Sequence, residues 1–160
     1  MTASTVVRTL IVWLAVLAWS IPTEAPAAGS PSDWLDGLFP SVASCTPAEP
    51  FFYDEKSGKS IPGTLEARGY TARKVTPDVA EYRIDERFHG LHAIVIQIPN
   101  HMAVLAVTMD VPVDQAKARL EQAFGESIAV YPAHEDRPGL AYLYAKGPGQ
   151  AVFVCTSEPE

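Results

Sequence analysis

The sequence predicts an α+β fold: an antiparallel sheet of about six to seven strands, with one main helix (residues 112–124) packed on one face and a short helix near the N-terminus. Two observations carry this prediction. Residues 91–111 contain two runs rich in β-branched residues, and an apolar repeat at helical spacing follows them directly. Shorter strand-like segments flank this central stretch on both sides. The pattern does not fix the order of the strands.

The N-terminal residues have the features of a signal peptide. Arg8 supplies a positive charge, residues 10–19 form an apolar run, and residues 25–27 (Ala-Pro-Ala) resemble a cleavage site. The apolar run is too short to cross a bilayer comfortably. We therefore expect residues 1–27 to be removed on export. Residues 28–160 are then expected to form a single α+β domain, periplasmic or secreted, with no stable membrane insertion.

The first part of this domain is predicted to contain short elements. Ser30 and Pro31 resemble the N-cap and first residue of a helix that stops before Pro40. His89 and Gly90 resemble a turn that leads into the central stretch. Between them we expect helical turns at 64–68 and strands at 51–53, 70–75 and 81–88. In the last strand apolar and charged residues alternate, so one of its faces is predicted to meet water.

A polar loop at 54–60 ends in Gly58-Lys59-Ser60, which matches the last three residues of a phosphate-binding P-loop. The full motif requires a glycine five residues before Gly58, and Tyr53 occupies that position. No strand, loop and long helix follow one another here. We interpret these residues as a solvated turn.

The central stretch is predicted to form two strands joined by a turn at residues 99–100. In the first strand, Ile94, Ile96 and Ile98 recur with period two and are expected to share a face. In the second strand the residues expected to share a face are Leu105, Val107, Met109 and Val111. A proline, an asparagine and an aspartate within residues 91–111 would be costly in hydrocarbon, so we reject a membrane span.

The main helix is predicted to begin at Pro112, whose missing N–H costs nothing in the first turn, and to end at Gly125. Its apolar stripe, which we expect to pack on the sheet, consists of Val113, Ala116, Leu120, Ala123 and Phe124. Three more strands are expected at 127–131, 140–145 and 150–156, the last two as a hairpin, with a polar loop at 132–139.

Two cysteines, Cys45 and Cys155, are present in the chain. An even number of cysteines in an exported chain predicts a disulfide, and the pair lacks the C-x-x-C spacing of redox proteins. We therefore expect a structural Cys45–Cys155 bridge that ties the first segment of the domain to its last strand.

The formal net charge of −7 argues against nucleic acid and anionic membranes as partners. Many alanines and prolines with a single asparagine (Asn100) indicate a bacterial source with a GC-rich genome. Together with the signal peptide, this composition favours a protein of the bacterial envelope.

Metal binding receives little support from the histidines. His89 and His92 have an H-x-x-H spacing, but side chains three residues apart on a strand point to opposite faces. A zinc or copper site needs three or four ligands. We expect no metal and no cofactor, and keep His89 and His92 as weak candidate ligands.

The most polar cluster is His134, Glu135 and Asp136, in the loop at 132–139. Loops held by a rigid scaffold often carry binding residues, so these three are candidate binding residues. Neighbouring residues point in different directions, and the alternative is a solvated loop in which Arg137 neutralises the acids. No nucleophile lies in a recognisable catalytic motif.

Tyr142 and Tyr144 are predicted to share one face of the strand at 140–145, with Tyr131 nearby. Tyrosines on an open sheet face make a good contact surface, since the ring is apolar and the hydroxyl forms hydrogen bonds. The alternative is that these rings cover the core beneath the helix.

Three functions fit these features. The favoured one is a small, non-catalytic binding protein that contacts another envelope or secreted protein, as inhibitor and immunity proteins do. One alternative is a periplasmic carrier of a metal or small ligand that uses loop histidines and carboxylates. The other is a small hydrolase whose site is assembled from scattered residues.

Overall fold

The computed structural model describes residues 34–39, 41–43, 45, 47–100, 104–132 and 140–156. Within them are three helices: α1 (Trp34–Leu38), α2 (Thr64–Ala67) and α3 (Val113–Phe124). The strands are β1 (Phe52–Asp54), β2 (Lys59–Ile61), β3 (Ala72–Val75), β4 (Val79–Phe88), β5 (Leu91–Pro99), β6 (Val104–Met109), β7 (Ala129–Val130), β8 (Ala141–Gly147) and β9 (Gln150–Thr156). This is a mixed fold of few helices and a large sheet, in agreement with the predicted α+β class. Among the described residues, no helix is both long enough and apolar enough to cross a membrane.

Seven strands form one sheet in the order β3-β4-β5-β6-β9-β8-β7, and β1 and β2 form a separate two-stranded sheet. Neighbours in the large sheet are antiparallel except β7 and β8, which are parallel. The predicted purely antiparallel sheet is therefore wrong at this edge. A tight hairpin cannot join parallel strands, and residues 131–140 separate these two in the chain.

The strand registers define two faces of the large sheet. We call inner the face with the row Tyr82, Ile96, Val107, Phe153 and Leu143. We call outer the face with the rows Arg83, Val95, Thr108, Val152, Tyr144 and Glu81, Gln97, Ala106, Val154, Tyr142. All residues of the inner row belong to the main hydrophobic core and are fully buried.

Four phenylalanines hold the main core together. The ring of Phe39, which follows α1, lies 5.2 Å from Phe88 of β4 and 5.5 Å from Phe153 of β9, measured between ring centroids. Phe124, the last residue of α3, stacks on Phe153 at 5.9 Å. Aromatic contacts of this kind contribute beyond their buried area. They connect α1 and α3 to the inner face.

Helix α3 starts one residue later than predicted, because Pro112 is its N-cap. Gly125 ends the helix in the left-handed conformation (φ 71°) and donates its N–H to the Glu121 carbonyl, as its lack of a Cβ allows. Ala116 and Leu120 are buried in the main core, but Ala123 is exposed. The predicted apolar stripe is wrong at Ala123, because the buried side of the helix is narrower than the sequence pattern.

A register shift in β5 alters one predicted face. The shift lies between Ala93 and Val95, opposite β6. Leu91 and Ala93 are buried before it, and Ile96 and Ile98 are buried after it. Because a bulge changes which residues face the core, Ile94 is only half-buried, and its predicted grouping with Ile96 and Ile98 is wrong.

The predicted turn at His89 and Gly90 is confirmed, since both residues have positive φ (48° and 81°) and join Phe88 to Leu91. The predicted disulfide is also confirmed: Cys45 and Cys155 are bonded across a sequence separation of 110 residues. A disulfide fits a compartment outside the cytoplasm. The first two predicted helix residues, Ser30 and Pro31, lie outside the described residues.

The interpretation of Gly58-Lys59-Ser60 as a solvated turn is wrong for its last two residues. Lys59 and Ser60 belong to β2, and Ser60 is 1% exposed. The Glu66 carboxylate of α2 accepts hydrogen bonds from the Ser60 N–H (2.9 Å), the Ser60 hydroxyl and the Tyr82 hydroxyl (2.9 Å). This partly buried polar link joins the two-stranded sheet to β4.

Candidate functional site

The outer face carries a second apolar cluster, separate from the main core, which we call the outer tyrosine cluster. Four of its residues are buried: Ala106, Tyr142, Val152 and Val154. Three half-buried residues surround them: Val104, Tyr131 and Tyr144. The sheet therefore has apolar surface on both faces in its β6-β9-β8 part.

Alternation along the strands produces this arrangement. Successive side chains of a strand point to opposite faces, so Leu143 enters the main core while Tyr142 and Tyr144 lie on the outer face. Ala116 and Leu120 of α3 belong to the same cluster as Leu143. The alternative that the tyrosine rings cover the core beneath the helix is therefore wrong.

The three tyrosines differ in exposure. Tyr131 and Tyr142 meet edge to face, with ring centroids 5.9 Å apart and planes at 85°. Tyr142 is 7% exposed, so little of its surface is available to a partner. Tyr131 and Tyr144 are half-buried and present more of their rings to solvent. They are the better probes of a contact at this surface.

The part of the outer face on β4 is charged. On β4 the outer residues Glu81, Arg83, Asp85 and Arg87 alternate with buried ones, as the sequence predicts. The side chain of Gln97 on β5 donates a hydrogen bond to Glu81 (3.1 Å). Across a single row, the outer face thus changes from charged at β4 to aromatic at β8.

His89 and His92 do not converge on one site. The His89 ring is largely buried and its Nδ1 lies 3.6 Å from Asp36 of α1. The His92 ring is half exposed, with Nε2 3.0 Å from Asp85 and Nδ1 4.0 Å from Asp110. In the part of the chain that the structure describes, no group of three or more His, Cys, Asp or Glu residues is arranged to hold a metal ion.

The candidate binding residues His134, Glu135 and Asp136 lie outside the described residues, so their role in binding stays a prediction. The sequence pattern predicts a shared face for Tyr142 and Tyr144. Which face this is depends on the pairing of β8 with β9, and that pairing has no local signal. A signal for the outer cluster does exist in Val152 and Val154, which alternate with Phe153 to make both faces of β9 apolar.

The pKa values of two ionisable groups are shifted in the partly buried link between β2 and β4. Burial disfavours the charged form of Glu66, but the hydrogen bonds from Ser60 outweigh this effect and hold the pKa of Glu66 below its usual value. Burial, and then the neighbouring Glu66, raise the pKa of the Tyr82 hydroxyl. Since Ser60 and Tyr82 are closed off from solvent, this group is structural in character.

The described grooves near the histidines are open and shallow. One of about 220 Å³ is lined by Asp85, Glu86, Arg87 and His92. Another of about 390 Å³ lies between the β4–β5 turn and α3. Its lining residues are Gly90, Leu91, Gln115, Ala118, Arg119 and Gln122. Neither groove has the enclosed shape that is usual for small-molecule sites.

Comparison with known proteins adds no family to this description. No family model, no curated protein and no solved structure matches the chain.

Proposed function

We propose that this chain is a small, non-catalytic binding protein of the bacterial envelope, periplasmic or secreted, that contacts another protein through its outer face. In this proposal α3 covers the inner face of the sheet. The outer face at β8 is left for the partner, and His134, Glu135 and Asp136 stay candidate contact residues on the evidence of the sequence alone. The signal peptide features and the disulfide support the compartment.

The observation that carries the proposal is the outer tyrosine cluster. Tyr131 and Tyr144 present rings on an apolar base of Ala106, Val152 and Val154. Tyrosine is enriched at protein interfaces because its ring buries a large area and its hydroxyl satisfies hydrogen bonds. The charged residues on β4 would lie at the polar rim that such interfaces usually have.

The proposal can be tested by crosslinking followed by affinity measurement. A photo-crosslinking residue replaces Tyr144 in one strain of the host and Val75 in another. Val75 lies on β3, at the far edge of the same sheet, and is 44% exposed. We expect a specific protein adduct from position 144 and none from position 75.

The partner identified in this way is then titrated with purified variants. Tyr144→Ala should raise its Kd about tenfold, since truncation of an interface tyrosine commonly costs about 1–2 kcal/mol. Val75→Ala is the matched control and should leave Kd unchanged. The proposal fails if Tyr144→Ala and Tyr131→Ala both bind as the unaltered protein does while remaining folded by circular dichroism.

A further inference from the structure

His89 lies where three elements meet: the β4–β5 turn, α1 and α3. Its backbone N–H donates a hydrogen bond to Asp36 Oδ1 of α1 (2.6 Å), and its ring Nδ1 lies 3.6 Å from Asp36 Oδ2. Arg119 of α3 donates from Nε to the His89 carbonyl (2.7 Å). A single residue of the turn therefore contacts both α1 and α3.

The His89 ring is enclosed by aromatic side chains. The rings of Phe88 and Phe124 each lie 4.6 Å from it, and its side chain is 15% exposed. Its Nε2 atom is buried and has no hydrogen-bond partner among the described residues. A protonated ring would place a charged N–H at this position without an acceptor, which is costly in an apolar environment.

The backbone of the turn does not require a histidine. Two-residue hairpin turns of this kind need positive φ at both positions, which favours Asn, Asp or Gly at the first. His89 has φ 48°, a conformation in which Asn, Asp and His are enriched among residues other than glycine. The turn therefore accepts either His or Asn at this position.

Two charged groups among the described residues face the ring. Asp36 of α1 favours protonation and Arg119 of α3 opposes it. Burial is the largest influence, and together these effects hold the pKa of His89 below its usual value. The ring is therefore neutral in this arrangement at neutral pH.

We propose that His89 is a pH-sensitive latch, and that proton uptake by its ring releases α1 from the β4–β5 turn and α3. Release would lift Phe39 away from Phe88 and Phe153 and uncover their aromatic rings. The Cys45–Cys155 bridge keeps the released segment attached to β9. This regulation is independent of any partner at the outer face.

The sign of the pH effect follows from linkage. In the released state the ring meets water and takes up a proton near its ordinary pKa of about 6.5. In the closed state its pKa is lower. Closure is therefore fully favoured above about pH 6.5 and weakens as the pH falls below it.

The test is hydrogen exchange, resolved by residue with NMR, on the exported protein with its disulfide intact. Rates at pH 7.5 and pH 5.5 are corrected for the intrinsic effect of pH. We expect the protection of the His89 amide and of residues 34–39 to fall about tenfold at pH 5.5, while β9 keeps its protection. Equal loss in β9, or no loss at His89, would overturn the latch.

Variants separate the ring from other effects of acid. His89→Asn suits the left-handed turn and does not titrate in this range, so it should lose the tenfold change. His92→Asn is the matched control, an exposed histidine on the neighbouring strand, and should keep the change in full. If His89→Asn retains the acid response, the proposal is wrong.

A ring titration of the unaltered protein covers the case in which His89→Asn does not fold. The His89 ring signals should change over the same pH range as the amide protection. A ring that titrates at its ordinary pKa while residues 34–39 stay protected would also overturn the proposal.

Discussion

The inner and outer faces of the large sheet are both apolar over β6, β9 and β8, but they are closed in different ways. Phenylalanine and aliphatic side chains fill the inner face. The rings of Phe39, after α1, and Phe124, in α3, pack against Phe153 of this face. The outer face carries tyrosines, two of which remain half-buried. The same strands thus supply a sealed core on one side and a surface suited to contact on the other.

The inner row contains one tyrosine, Tyr82, and its hydroxyl has a hydrogen-bond acceptor. Tyr82 is fully buried, and its hydroxyl donates to the Glu66 carboxylate. A buried hydroxyl without a partner would cost free energy, so the inner face accepts this tyrosine only with its acceptor. Tyr131 and Tyr144 of the outer face are only half-buried, so this requirement is weaker there.

The largest expected difference between the faces is in stability. Phe153→Ala should lower the free energy of unfolding by about 3–5 kcal/mol, because it leaves a cavity among packed rings. Because Tyr144 is only half-buried, Tyr144→Ala should lower the free energy of unfolding by only about 1 kcal/mol. Urea denaturation at neutral pH compares them, and equal losses would show that the two faces do not differ as described.

The disulfide fastens the inner side of the sheet at Cys155. Replacing both cysteines by serine should lower the free energy of unfolding by about 2–4 kcal/mol, since the bridge restricts a long loop in the unfolded chain. Thermal melting of the variant gives the effect, and the unaltered protein with reductant serves as control. A melting temperature that neither change moves would contradict this role.

Two tyrosine substitutions sharpen the comparison further. Tyr82→Phe should cost about 1–2 kcal/mol of stability, because Glu66 loses one of its buried donors. Tyr131→Phe on the outer face should change stability by less than about 0.5 kcal/mol. The measurement is the midpoint of urea denaturation. A larger loss of stability from Tyr131→Phe than from Tyr82→Phe would contradict the described difference between the two faces.

The smallest expected effect is a pH dependence carried by Glu66. Its pKa is lower in the folded protein than the ordinary value of about 4.3, so its contribution is present above that value and is lost as the pH falls through the folded pKa. Glu66→Gln should flatten the fall in stability below about pH 4.5. If stability falls at low pH in this variant as it does in the unaltered protein, other carboxylates are responsible for the fall.

Local chemistry explains what the sequence predicts well. Gly125 ends α3, Gly90 completes a tight turn, and alternation places the charged side of β4 in water, all from neighbouring residues. Each of these features depends on backbone conformation or on a simple period. They need no knowledge of what lies across the sheet.

Distant pairing explains what the sequence does not predict. The register shift near Ile94 and the parallel pairing of β7 depend on partner strands. The contact between Asp36 and His89 joins residues 53 positions apart. At the candidate site, the shared face of Tyr142 and Tyr144 is predictable from period two, but its identity as the outer face follows only from strand order.

The covalent link between Cys45 and Cys155 also has a mechanical consequence. A force applied to the two ends of the chain passes through the sulfur bridge and bypasses the residues between the two cysteines, which include β1 to β8. The sequence separation of 110 between the cysteines corresponds to about 360–400 Å of extended chain that cannot be drawn out while the bridge is intact. In single-molecule pulling, the oxidised domain should extend only through the segments outside the bridge, which include α1, and the enclosed stretch should lengthen only after reduction.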